Sequence, residues 1–389
     1  MTVLIVPSWY KTDSNPILGS FFYEQAKMLN DAGIKAIVAD ATFQGREDYF
    51  SKRCFRLKKT NDEGVLTYSL VEPGFRAFKK EDGGIQRYYK NIRRIFNELV
   101  ADGYHIELIH AHSYLPAGVA AVKLGKEENI PVIVTEHSSG VLEKELTPYR
   151  VQLLENVVNS SKAFICVSEA LKRVVKELVP NGAEPVVIPN PVNKDFTFKN
   201  VEKNEQFTFV SIGNLVESKR FDLTIKAFSN AFAGKQDKRL VILGDGILRK
   251  ELEILAKTYH VEKQVIFEGR VSRKTVSDVL AKSHVFVLPS DYETFGIVYV
   301  EAMACGLPVI GTRNGGAEDI ITEDNGYLIE KNNLGQLTQA MKCAYKDYAE
   351  FYPEKIAWEC QKRFGQDQII ASILDVYKQC MEQQLLMDV

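Results

Sequence analysis

The stretch from His284 to Ile321, HVFVLPSDYETFGIVYVEAMACGLPVIGTRNGGAEDII, leaves the chain few ways to fold. Val285 to Leu288 is apolar and reads as a buried strand, Pro289 to Gly296 as a loop, and the residues up to Gly306 as a short helix. Val309 and Ile310 begin a second strand that runs to a Gly315-Gly316 turn. The pattern predicts one strand–helix–strand unit of a parallel sheet. Its loop lies at the carboxyl end of the first strand and feeds a helix amino terminus, where unpaired N–H groups and the helix dipole favour an anion.

Two carboxylates, Glu293 and Glu301, stand eight residues apart across that place. Glu301 sits in a helix otherwise made of Ile, Val, Ala, Met and Cys, so its charge loses hydration unless hydroxyls or N–H groups replace the water. A sugar or ribose diol would supply such hydroxyls. A lone buried glutamate is more often satisfied by a neighbouring backbone. Here two acids share a helix start with Gly296 and a second glycine turn, which favours a ligand.

The run Glu293, Thr294, Phe295, Gly296 with Glu301, Ala302, Met303, Ala304, Gly306, Pro308, Val309 resembles the E-x7-E signature of the retaining glycosyltransferases of family 4. The resemblance implies that Glu293 lies by the donor sugar and Glu301 holds the nucleotide ribose. It implies the GT-B fold: α/β, two Rossmann-like domains with parallel sheets facing an inter-domain cleft. The run from Pro7-Ser8-Trp9-Tyr10 through Asn15-Pro16, Gly19, Phe21-Phe22 and Glu24-Gln25-Ala26 is similar to the branch that builds bacterial exopolysaccharides and cell-wall glycans. In the family this loop touches the donor phosphates; only Gly19 carries over, because Ser20 replaces the second glycine.

The chain has 389 residues, enough for two domains that each bury a core. A formal net charge of -2 gives no global reason to expect nucleic acid. The six cysteines include no C-x-x-C pair and read as reduced core thiols of a cytoplasmic protein. Met1-Thr2 leads directly into the strand Val3 to Val6, and neither a signal peptide nor a spanning segment is expected.

Residues 43 to 100 read as the least regular part, with Arg53, Arg56, Lys58, Lys59, Lys79, Lys80, Arg87, Lys90, Arg93 and Arg94 among tyrosines. Such a run is more often a solvated helix face. It also suits peripheral contact with an anionic membrane at its inner face, as family enzymes with lipid-linked acceptors make.

The strand Ile106 to Ala111 places His110 and His112 on one face. A helix from Pro116 to Lys126 leads to the strand Val132 to Thr135, which ends in Glu136-His137. Parallel strands joined by a helix put His112 and His137 at one sheet edge. His-x-His suggests metal, but two histidines without a third ligand are too few for a zinc site, and hydrogen-bonding roles fit better. By the resemblance His112 is a catalytic residue near the donor sugar and β-phosphate, and His137 binds the acceptor.

Val186 to Val192, with Pro189 and Pro191, interrupts regular structure and reads as the hinge. The domains are then 1–190, an acceptor-binding domain; 191–365, the nucleotide-sugar domain; and 366–389, a helix that in the family returns to the first domain. In the second domain strands are expected at Phe207 to Ile212, Leu240 to Leu243 and Val265 to Phe267, with helices at Asp222 to Phe232 and Leu248 to Tyr259. Lys219 and Arg220 fall at a helix amino terminus, an expensive place for cations unless a diphosphate lies opposite.

The family motif there is G-R-L-x-x-x-K-G. Gly213, Leu215 and Lys219 match it, Asn214 stands where Arg is usual, and Arg220 stands where Gly is usual. The resemblance makes Lys219, Arg220 and Glu293 catalytic, and makes Gly213, Asn214, Arg270, Phe295, Gly296, Ile297, Val298 and Glu301 donor-binding. No Asp-x-Asp is present, so the diphosphate is expected to be met by Lys219, Arg220 and N–H groups, with no metal and no cofactor beyond the nucleotide sugar. The implied reaction is retaining transfer of a hexosyl group from a nucleoside-diphosphate sugar to a hydroxyl of a saccharide or lipid-linked glycan. Two alternatives stay open: a nucleotide-sugar epimerase or phosphorylase of the same fold, and a non-catalytic nucleotide-sugar-binding subunit.

Overall fold

The computed structural model describes residues 1–11, 19–44, 56–73 and 83–387. The chain divides into two compact units. One comprises Met1–Val167, Lys172–Ile188 and Ile370–Val389; the other comprises Ser168–Leu171 and Pro189–Ile369. The last helix, Gln366–Met387, therefore belongs from Ile370 onward to the first unit.

The first unit is built on an eight-stranded sheet. Its order across the sheet is Val186–Val187, Ala163–Cys166, Val132–Glu136, Leu108–His112, Thr2–Pro7, Lys35–Asp40, Val65–Ser69, Lys58–Asp62. All neighbours are parallel except the outermost pair, Val65–Ser69 with Lys58–Asp62. Val3, Leu4, Ile5 and Val6 are fully buried, as are Leu108 and Ile109 in the neighbouring strand. Unbroken burial on both faces is what helices on either side of a parallel sheet require.

The second unit has a six-stranded, wholly parallel sheet ordered Val265–Gly269, Lys238–Leu243, Phe207–Ile212, Val285–Leu288, Val309–Thr312, Gly326–Ile329. The βαβ unit expected from the sequence lies in its middle, with the helix Ile297–Ala304 between its two strands. Six of that helix's eight residues are buried, which is why its sequence is apolar all round.

The described residues between 43 and 100 are more regular than their composition suggests. Gly83–Ala101 is a helix of 19 residues. Ile85, Tyr88, Ile92, Ile95, Phe96 and Leu99 are buried at the three- and four-residue spacing of a core-facing stripe. The interleaved cations obscure that period. Several are paired: Arg87 with Glu72, Arg93 with Glu128, and Lys59 with Glu98 and Asp102. Asn15, Pro16, Arg53, Cys54, Lys79 and Lys80 lie outside the described residues. Cys166, Cys305, Cys360 and Cys380 are buried and outside any disulfide, and Cys343 is half-buried. Among the described residues no helix is long and apolar enough to cross a membrane.

Gly244 fixes the edge of the second sheet. Its N–H donates to Gly269 O at 2.8 Å, its φ is 136°, and a Cβ there would lie 1.9 Å from Gly213 O. Backbone strain and a clash with an immovable carbonyl then coincide. Gly244→Ala is expected to cost about 3 kcal/mol or more, measured from the urea midpoint.

Candidate functional site

In an open parallel sheet, ligands bind at the carboxyl edge where the strand order reverses, because neighbouring loops part there. In the second unit the chain runs outward from Phe207–Ile212 to one side and from Val285–Leu288 to the other. The loops after these two strands, Gly213 to Arg220 and Pro289 to Gly296, carry most of the residues marked by the sequence. They are knit together by Asp291 N donating to Ser218 O at 2.8 Å.

Lys219 ends a short 3₁₀ turn, Glu217–Lys219, and Arg220 caps the helix Phe221–Phe232 with φ 52° and ψ 40°. That left-handed conformation is why the family motif has glycine here, and an arginine pays roughly 1 kcal/mol for it. Lys219 Nζ lies 2.6 Å from Glu293 Oε1, which also accepts from Ser290 Oγ at 2.9 Å. Arg220 Nε lies 3.1 Å from Asp222 Oδ1, and its Nη1 lies 3.4 Å from Asp291 Oδ1. Lys226 Nζ reaches the other oxygen of Asp222 at 2.9 Å. Three cations thus face three carboxylates. Lys219 retains N–H groups for a further acceptor, since an ammonium has three donors.

Gly296 caps the helix Ile297–Ala304 with φ 91°, and a Cβ there would meet the Tyr299 ring at 2.6 Å. The first N–H groups of this helix, at Ile297 and Val298, have no intrahelical acceptor. Tyr299 is fully buried; its hydroxyl donates to Leu288 O at 2.6 Å and accepts from Asn314 Nδ2 at 3.2 Å. Glu293 N donates to Asn314 O at 3.1 Å, and Gly316 N donates to Glu293 O at 2.7 Å, so the second glycine turn holds the Glu293 loop directly. Ser290, Asp291, Tyr299 and Asn314 carried no sequence signal, because their roles rest on partners brought near only by folding.

Glu301 is 8 % exposed, on the helix behind that turn. Burial, and then the Glu301 charge, push the Cys305 thiol up to about 12. Phe295 is buried against Phe364, with ring centroids 5.6 Å apart. Gly213 N donates to Leu243 O at 3.0 Å, while Asn214 and, after Gly269, Arg270 are exposed.

The first unit has its own order reversal, between Thr2–Pro7 and Leu108–His112. Ser8 N donates to His112 O at 3.1 Å, and Gly19, with φ 64°, caps the helix Ser20–Asp31. The expected meeting of histidines is present: His112 Nδ1 lies 3.1 Å from His137 Nε2, and His110 stacks on His112 with centroids 4.5 Å apart. Phe22 closes on His112 at 4.7 Å. Among the described residues His112 Nε2 and His137 Nδ1 are buried without a hydrogen-bond partner, two polar atoms suited to a ligand's hydroxyls.

Glu136 sits beneath, accepting from the backbone N–H groups of Tyr114, His137 and Ser138 and from Ser138 Oγ. Ser113, next to His112, has φ 66° and ψ 143°. Such strain in a residue other than glycine costs about 1–3 kcal/mol and is typical of functional sites. It is held by Ser113 N donating to Thr135 O at 2.7 Å.

A model for group 1 glycosyl transferases matches residues 192–361, and one for Glycosyltransferase Family 4 matches residues 18–196. An uncharacterized glycosyltransferase of Methanocaldococcus jannaschii is 31 % identical over 267 residues, 65 % of this chain and 72 % of its own length. The chain belongs to the group 1 and family 4 glycosyltransferases. This glycosyltransferase is also 26 % identical, over 88 % of each chain, to a Bacillus subtilis glycosyltransferase provisionally named for teichuronic acid biosynthesis. The crystal structure of Anabaena HepE in complex with UDP and glucose has a TM-score of 0.74, covering 97 % of this chain and 100 % of that one at 16 % identity. At that identity the likeness concerns the fold, which is GT-B.

Burial lowers the pKa of His110 and of His137 to about 3, and with the neighbouring histidines it lowers that of His112 well below the usual value. In the unfolded glycosyltransferase these rings take up protons near pH ~6.5. The stability they contribute is complete above that pH and is lost as pH falls toward about 3, with a slope of roughly 1.4 kcal/mol per pH unit per ring. Burial raises the carboxyls of Glu136 and Asp40, which gives the opposite slope. A difference measurement isolates the histidines: between about pH 6.5 and 5, His137→Gln should lose unfolding free energy less steeply with acid than the unaltered chain, read from urea titrations at each pH.

Proposed function

We propose that the protein transfers a sugar from a nucleoside-diphosphate sugar to a hydroxyl of a saccharide or lipid-linked glycan, with retention at the anomeric carbon and without a metal ion. The observation that carries this reading is the convergence of Lys219, Glu293 and the free N–H groups behind Gly296 at the order reversal of the second sheet. That place suits a diphosphate: Lys219 offers its remaining N–H groups, the helix Ile297–Ala304 offers its positive end, and Glu293 takes sugar hydroxyls. Glu301 takes the ribose diol. The UDP and glucose held by the HepE neighbour support a donor of this class.

In the reaction the acceptor hydroxyl oxygen bonds to the anomeric carbon as the bond from that carbon to the β-phosphate oxygen breaks. The electron pair leaves on the phosphate, which accepts the hydroxyl proton on the same face. The resemblance gives His112 the donor sugar and His137 the acceptor, and their partnerless nitrogens suit such hydroxyls. The relative named for teichuronic acid biosynthesis supports an envelope glycan as acceptor. Contact with the inner face of a membrane would use the exposed Lys90 and Arg94 of the helix Gly83–Ala101.

Lys219→Ala is expected to lower kcat by about 100-fold, the loss typical of one charge-stabilising donor, with the circular dichroism spectrum unchanged. The anomeric configuration of the product, read from its NMR coupling constant, should equal that of the donor; an inverted product refutes the reading.

A further inference from the structure

The last helix reaches the histidine cluster of the first unit through Tyr377. Tyr377 is 1 % exposed, and its hydroxyl lies 2.7 Å from His110 Nδ1. His110 Nε2 lies 2.7 Å from Thr135 Oγ1, so both ring nitrogens are engaged and the ring cannot turn without losing two buried hydrogen bonds. A neutral imidazole offers one donor and one acceptor. The phenol is the more acidic hydroxyl and its proton is confined near the ring plane, which favours the tautomer in which Tyr377 donates to Nδ1 and the imidazole proton is on Nε2, facing Thr135. Burial keeps His110 neutral into the acid range.

The His112 ring has one polar contact among the described residues, with His137. Its plane is set by the rings that enclose it: His110 on one side, 4.5 Å away and inclined by 30°, and Phe22 at 4.7 Å. With His137 and Phe22, the stacked His110 ring is one of the three groups that restrain the plane of His112.

We propose that Tyr377 is a positioning residue of the transfer site, which holds His112 with its free Nε2 edge correctly turned by locking the tautomer and plane of His110. The assignment rests on the reading of His112 as the group that meets the donor sugar. It makes the carboxyl-terminal helix part of the site's construction.

The test is Tyr377→Phe in the full chain, which removes one oxygen and keeps the ring. Long-range ¹H–¹⁵N spectra of histidine-labelled protein should show His110 as the Nε2–H tautomer in the unaltered chain. In the variant the ring-nitrogen signals of both His110 and His112 should shift. kcat should fall roughly tenfold while KM for the donor stays within about twofold, as expected for lost orientation rather than lost binding. Thr135→Val, which removes the other bond to the same ring, should shift the same signals and provides a second reading if the tyrosine variant does not fold.

Unchanged His112 signals in a folded variant overturn the proposal, as does an unchanged kcat. If the unaltered chain transfers no sugar from any nucleotide donor, the functional reading fails separately. The His112 signals alone then decide the positioning claim: a shift supports it and no shift overturns it.

Discussion

A parallel sheet sends the carboxyl ends of all its strands to one edge, and where the strand order reverses, two adjacent loops leave in opposite directions. In each unit of this protein the residues with the most telling chemistry lie at that reversal. In the second unit the reversal falls between Phe207–Ile212 and Val285–Leu288, and Lys219, Arg220, Glu293 and Gly296 follow those two strands. In the first it falls between Thr2–Pro7 and Leu108–His112, and His112 ends the second of them. The rest of each unit, with its fully buried strands and covering helices, holds these loop ends at fixed separation.

The two places are built on opposite electrostatic terms. The second unit concentrates ions but balances them, with Lys219, Arg220 and Lys226 facing Glu293, Asp291 and Asp222. Such a cluster is not a bare positive patch: in the proposed reaction a phosphate would take the place of a carboxylate partner, with the N–H groups at Ile297 and Val298 directed at it. Arg220, tied to Asp222 and Asp291, joins the start of its helix to the Glu293 loop as well as supplying charge. The reversal of the first unit is lined by neutral rings instead. His110, His112 and His137 are buried and neutral, and they are held by ring packing, by Thr135 and by Tyr377. Neutral imidazoles form hydrogen bonds in either direction, which suits hydroxyl groups.

Much of this is legible in the residues. The 284–321 stretch specifies its βαβ unit because apolar runs of strand and helix length alternate with glycine punctuation. The two histidines reach one edge because parallel strands joined by a helix leave no other arrangement. The helix Gly83–Ala101 escapes such a reading because cations fill the positions between its buried Ile85, Tyr88, Ile92 and Ile95 and blur the period.

The sequence by itself determined most of the strands and helices, the parallel character of the sheets and which side chains stand at strand ends, because these depend on periodicity and on local backbone preference. Only the tertiary structure decided that Arg220 spends its charge on Asp222 and Asp291, that Asn314 and Tyr299 brace the Glu293 loop, and that Tyr377 reaches His110 across 267 residues of chain. Apart from Arg220 to Asp222, two residues on, those contacts join segments that no local pattern brings together. Their energy comes from burial and from satisfied hydrogen bonds that no local window contains.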